Sequence, residues 1–256
     1  MAARDGYLLE LSEVSKRFGG LSALEGVSMG VGRGEVRGII GPNGAGKTTL
    51  FNIITGELKP TQGKVFLEGE EITGISPHLI CRKGVGRTFQ LTLIFPEMTV
   101  FDCVWAGANS QLKGLWRLFF SKVSPSDEAS HSVMQILEQV GLEDKAEELA
   151  CNLSYGDQKV LEIAMALSTR PKILLLDEPT QGVGPQEAEG IARLIRALAT
   201  NTSILLIEHD MNMVLQVCDR ITVLNFGSVV AEGSWEEISS DQEVQRIYLG
   251  EKSWSF

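Results

Sequence analysis

Gly41-Pro42-Asn43-Gly44-Ala45-Gly46-Lys47-Thr48-Thr49 follows a strand-like run, Gly34 to Ile40, and opens a helical stretch that reaches Gly56, with Pro60 closing the region. It fits the pattern G-x-x-x-x-G-K-[ST], which carries meaning only in this strand-before, helix-after setting. Glycine lets successive backbone N–H groups turn inward around an anion where side chains would collide. The new helix adds its positive dipole end to the same place. Lys47 can then reach the β- and γ-phosphates of a nucleotide, and the Thr48 hydroxyl can ligate Mg²⁺. The stretch predicts an α/β chain built around a triphosphate cradle.

A second motif supplies the rest of that chemistry. The apolar run Ile173-Leu174-Leu175-Leu176 ends in Asp177-Glu178-Pro179. Asp177, at a strand end, can hold Mg²⁺ through its water shell, while Glu178 points elsewhere and can orient or deprotonate an attacking water. Metal clamping with water positioning is what phosphoryl transfer requires. Together the two motifs indicate a P-loop NTPase.

The surrounding pattern agrees. Tyr7 to Val14 and Lys64 to Glu68 have strand content. Helical faces at Val160, Ile163, Ala164, Leu167 and at Ile191, Leu194, Ile195, Leu198 precede the strands Lys172 to Leu176 and Ser203 to Ile207. Such alternation predicts a parallel sheet covered on both faces. Arg220 to Leu224 and Ser228 to Glu232 flank Asn225-Phe226-Gly227 as a hairpin. Between the first strands and the helix at Val160, from about 80 to 153, the character changes. Val133, Ile136, Leu137 and Val140 form an amphipathic face, with Pro125, Asp127 and Glu128 suiting its first turn and Gly141 its end. This section reads as a helical lobe inserted in one domain spanning 1–256.

Composition narrows the classes. A net charge of -10 argues against broad nucleic-acid binding, which depends on neutralising phosphates with Lys and Arg. Apolar runs are too short for a membrane span of about 20 residues. Met1 to Val14 carries Asp5, Glu10 and Glu13 with no apolar core, unlike a signal peptide. Cys81, Cys103, Cys151 and Cys218 are scattered without a C-x-x-C pair, which suits free thiols in a reducing cytosol.

Leu153-Ser154-Tyr155-Gly156-Asp157-Gln158, at a helix start shortly before the second strand motif, resembles the L-S-x-G-x-Q signature of ABC ATPases. On that resemblance the fold is a P-loop NTPase (ABC ATPase) core with a mixed sheet plus the helical lobe. The family's other parts follow in order. Gln90, in Gly86-Arg87-Thr88-Phe89-Gln90, matches the Q-loop glutamine that senses Mg²⁺ and the attacking water. His209, in Glu208-His209-Asp210, matches the switch histidine, Phe18 the aromatic that stacks on adenine, and Gly182-Val183-Gly184-Pro185 the D-loop. The resemblance runs from Leu8 to Glu251. It is strongest to the ATP-binding subunits of branched-chain amino acid importers, through Lys16-Arg17-Phe18-Gly19-Gly20-Leu21, Phe95-Pro96-Glu97-Met98-Thr99-Val100, Ile207-Glu208-His209-Asp210-Met211 and Tyr248-Leu249-Gly250-Glu251.

The resemblance implies ATP and Mg²⁺ as ligands, with Thr48, Gln90 and Asp177 at the metal and Glu178, His209 and Gln90 at the reaction. It implies two subunits closing head to tail, as a homodimer or with a sister ATPase. Each ATP lies between residues 41–49 of one copy and Ser154 and Gly156 of the other. Partners are transmembrane permease subunits and, indirectly, a periplasmic or surface substrate-binding protein, with no nucleic acid; the place is the cytoplasmic face of the membrane. Importers of urea or short amides share the pattern, and a soluble ABC ATPase of iron–sulfur cluster assembly is a further alternative. Three residues depart from it. Asp157 stands where Gln is usual, Gln181 where Ala or Gly is expected, and Gly184 where Asn or Ser is expected. Leu115-Trp116-Arg117-Leu118-Phe119-Phe120 is expected to pack the lobe, leaving 90–99 as the segment that docks on membrane subunits.

Overall fold

The computed structural model describes residues 6–88, 94–109 and 128–248. Among these residues, ten strands form two sheets. The smaller is antiparallel, in the order β2 (Leu21–Val31), β1 (Leu9–Phe18), β4 (Gln62–Leu67), β5 (Glu70–Glu71). The larger runs β10 (Ser228–Gly233), β9 (Arg220–Asn225), β3 (Val36–Ile40), β8 (Ser203–Ile207), β7 (Ile173–Asp177), β6 (Val85–Arg87). Its strands are parallel except β10, which returns antiparallel to β9 through Phe226 and Gly227, both at positive φ as a two-residue hairpin turn requires. The large sheet is therefore mixed.

Its central strands are apolar throughout because both faces are covered. Ile173 and Leu175 of β7 and Leu205 and Ile207 of β8 face the core shared with the small sheet and helix Lys47–Ile54. Leu174, Leu176, Ile204 and Leu206 face the opposite core, against helices Tyr155–Leu167, Pro185–Leu198 and Met211–Val217. Successive residues thus serve opposite faces, as period-2 geometry demands.

Of the antiparallel sheet, β1 and β4 fall where Tyr7 to Val14 and Lys64 to Glu68 carry strand content, while β2 and β5 were not read from the sequence. β2 carries Gly26 at positive φ, and its pairing with β1 slips at Leu11/Val14, Val14/Lys16 and Lys16/Arg17. Each slip breaks the alternation by which a strand is recognised.

The helical section begins later than 80. Helix Pro77–Lys83 and the three-residue β6 belong to the edge of the large sheet. A separate core joins Val100, Cys103, Val104, Val133, Leu137, Leu161 and Ala164, from helices Val100–Asn109, Glu128–Val140 and Tyr155–Leu167, with Leu142 and Leu153 from the turns between the last two. The last helix packs into both the lobe and the main core and joins them. Residues 115–120, Pro125 and Asp127 lie outside the described residues. No helix among the described residues is long and apolar enough to cross a membrane. All four cysteines are free, and burial pushes the Cys218 thiol up to about 12.

Candidate functional site

Sheet order builds the site. β8 lies between β3 and β7, so the turns leaving their C-terminal ends are neighbours: 41–46 after β3, Glu178 after β7, Glu208 and His209 after β8. In parallel α/β sheets this edge is where ligands bind.

The turn after β3 is wrapped tightly. Gly41 has φ 153°, and a Cβ there would lie 2.1 Å from the Leu224 carbonyl oxygen; at Gly46, φ 104°, it would lie 2.6 Å from that of Ala23. Any side chain at either place would collide with backbone. The β9–β10 turn braces the loop, Gly227 N–H donating to the Ala45 carbonyl at 3.0 Å. Lys47 is 6% exposed, its Nζ donating to the carbonyls of Gly41 (2.6 Å) and Pro42 (3.1 Å). The ammonium is folded into the loop it serves. Asn43, Gly44 and Thr48 are exposed, Thr49 half-buried.

The turn after β7 carries two carboxylates in different settings. Asp177 is 2% exposed and accepts from Arg87 Nη2 at 3.1 Å. Burial raises its carboxyl above the ordinary range, partly offset by the Arg87 guanidinium. Arg87 also donates to Asn52 Oδ1 at 2.6 Å. Glu178 sits at φ 51°, a backbone region that costs a non-glycine residue energy and gathers at functional sites. Its N–H donates to the Ile207 carbonyl (2.9 Å), and its Oε1 accepts from His209 Nε2 at 2.6 Å. The pair joins a nearly buried carboxylate to a half-exposed imidazole, side chains 9% and 44% exposed.

Glu208 locks the two turns together. It is 3% exposed and accepts from Thr180 N–H (3.0 Å), Thr180 Oγ1 (2.5 Å) and His209 N–H (2.9 Å). Sequence reasoning gave neither Glu208 nor Arg87 a role, although both stand inside motifs it quoted. Their function is contact with residues far along the chain, which no local pattern records.

Of the expected site residues, the structure brings together 41–49, Asp177, Glu178 and His209. Ser154 and Gly156 stand at the tip of the lobe helix, where Ser154 Oγ accepts from Asp157 N–H at 3.1 Å as an N-cap. Asp157 points back into the lobe and pairs with Lys145 at 2.5 Å, so its charge is neutralised within the chain. Of the three departures from the family pattern, the one at Asp157 is thereby accommodated. Phe18 is 46% exposed at the end of the β1–β2 hairpin, with Lys16 Nζ 5.0 Å from its ring centroid. Gln90 lies outside the described residues.

The donor set suits a metal that arrives with a nucleotide. No cluster of three or more His, Cys, Asp or Glu able to cage a metal exists among the described residues. Thr48 and Asp177 offer two hard oxygen ligands, which is how Mg²⁺ is bound when phosphates complete its shell.

Comparison with known proteins agrees with this geometry. The family described as ABC transporter matches residues 24–181. The chain is 42% identical over 250 residues to the high-affinity branched-chain amino acid transport ATP-binding protein BraF of Pseudomonas aeruginosa, covering 95% of this chain and 98% of that one. The ADP conformation of MJ1267, an ATP-binding cassette of an ABC transporter, superimposes with a TM-score of 0.85 at 38% identity, covering 96% of this chain and 99% of that one. The dimeric structure of MJ0796, a bacterial ABC transporter cassette, gives 0.75 at 27% identity, covering 88% and 98%.

Proposed function

The chain belongs to the ABC transporter ATPase family, and from that premise we propose that it powers the import of branched-chain amino acids by closing on ATP with a second cassette. The observation that carries hydrolysis is the 2.6 Å contact between Glu178 and His209 beside the phosphate loop. Glu178 takes the proton of the attacking water; His209 fixes the carboxylate's orientation and meets the γ-phosphate. Lys47 and the backbone N–H groups of 41–49 hold the β- and γ-phosphates, and Phe18 stacks on the base. Mg²⁺, held by Thr48 and Asp177 and, on the family resemblance, sensed by Gln90, would neutralise phosphate charge. Ser154 and Gly156 hold the γ-phosphate of the facing copy's ATP. Closure stores the difference in affinity between open and closed states, which permease subunits convert into movement. The working place is the cytoplasmic face of a membrane, with a substrate-binding protein acting through the permeases.

The cargo reading rests on the full-length likeness to BraF. Its test is reconstitution with the cognate permeases in vesicles. Leucine, isoleucine or valine with their binding protein are expected to stimulate ATP hydrolysis and urea to leave it flat; the reverse would make this a urea importer. Purification with soluble partners and no permease would favour an assembly ATPase.

Two smaller expectations follow from the site. Phe18→Ala should raise the ATP concentration for half-saturation about tenfold, since base–aromatic stacking is worth roughly 1–3 kcal/mol. Fluorescent nucleotide titration reads this directly, and no change would remove Phe18 from the base site. Asp157→Gln should shift the same value by less than about fivefold, because a partly exposed ion pair contributes only about 0–1 kcal/mol. A larger gain in affinity would mean that the Asp157 charge reaches the phosphate despite Lys145.

A further inference from the structure

One carboxylate stands against the tip of the lobe helix and has no part in the scheme so far. Glu187 Oε1 accepts from the Ser154 hydroxyl at 3.2 Å, and its Oε2 accepts from the Gly184 N–H at 3.1 Å. It packs so closely that a Cβ on Gly156 would lie 2.5 Å from its Cδ and Oε1. Nearby, a Cβ on Gly182 would lie 3.1 Å from the Tyr155 ring. The segment 182–185 and the start of helix Pro185–Leu198 are therefore bound to the Ser154 helix tip of the same chain.

We propose that Glu187 is a positioning residue that holds Ser154 in the open protomer and yields it to the γ-phosphate when two copies close, so that its charge sets the ATP concentration needed for closure. The inference rests on Ser154 and Gly156 receiving that phosphate. A serine hydroxyl has a single proton to donate. It serves either Glu187 or the phosphate, and two anions on one donor repel each other. Glu187 must therefore release Ser154 while its other oxygen can keep Gly184. Arrival of the phosphate is felt at 182–185, the segment that resembles the D-loop. Gly184 has no side chain to cap the first turn of this helix, so of the two side-chain bonds of a capping box only the one from the Gly184 N–H to Glu187 is made.

The experiment uses the full chain in a Glu178→Gln background, where closed dimers persist, and reads by light scattering the ATP concentration that gives half-maximal dimer. Adding Glu187→Gln keeps the shape and removes the charge. Because charge-assisted hydrogen bonds are roughly twice as strong as neutral ones, the midpoint should fall about fivefold. Glu187→Asp keeps the charge and the bond to Gly184 but falls short of Ser154, and should also lower the midpoint. A role confined to capping helix Pro185–Leu198 predicts instead that both variants leave the midpoint in place, which would overturn the proposal. Ser154→Ala, in the same background, separates the premise from the inference. It should raise the midpoint. If it does and Glu187→Gln does nothing, only the role of Glu187 fails; if it does not, Ser154 is no phosphate donor and both fail.

Discussion

Glu178→Gln is expected to lower ATP turnover at least ~10²-fold, the low end for loss of a positioned acid–base group, while ATP still binds and closed dimers accumulate. The substitution suits this site because it changes little else. Glutamine has the same length, and its oxygen can still accept from His209 Nε2, now at 2.6 Å. The backbone N–H keeps its bond to Ile207, and the unusual φ of 51° is imposed by that bond and by the strand register that pairs Asp177 with Ile207. What disappears is the ability to take a proton from water. Turnover at saturating ATP should collapse while nucleotide titration gives an affinity near that of the parent chain. Hydrolysis at the parental rate would show that Glu178 is not the base and would leave His209 as the group to examine.

The depth to which the sequence could be read followed the range of the interactions. The turn from Gly41 to Thr49, the strand ending at Asp177, the helices around Val133 and Ile191 and the Phe226-Gly227 hairpin are local. Their periodicity or turn chemistry is complete within a few residues, and the structure has them where the pattern puts them. Two kinds of feature were hidden. Irregular pairing with β1 erased the period in β2, which escaped notice together with the two-residue β5. Sheet order was hidden for a different reason. That β8 runs between β3 and β7 depends on crossovers, and it is this order that sets His209 against Glu178. The family resemblance led to His209, but its contact, like the Glu208–Thr180 lock and the Arg87–Asp177 pair, is a fact of tertiary structure.

Lys47→Ala should strike binding where Glu178→Gln strikes chemistry. The ammonium is already buried, 6% exposed, and satisfied by two carbonyls of its own loop, Gly41 and Pro42. Its desolvation has thus been met before a nucleotide arrives, and turning from those carbonyls to phosphate oxygens exchanges neutral acceptors for charged ones, which form stronger bonds. Truncating one side of a buried hydrogen-bonded charge pair costs about 2–5 kcal/mol, so ATP affinity should fall at least ~30-fold. Alanine is the best helix former and Lys47 opens helix Lys47–Ile54, so the fold should persist. Calorimetric titration with ATP, beside a thermal melt of the same sample, separates the two effects. Lost affinity with a melting temperature close to the parent's would assign the loss to the missing ammonium. Retained affinity would mean that the backbone N–H groups and the helix terminus suffice, and that Lys47 does no more than tie the loop to itself.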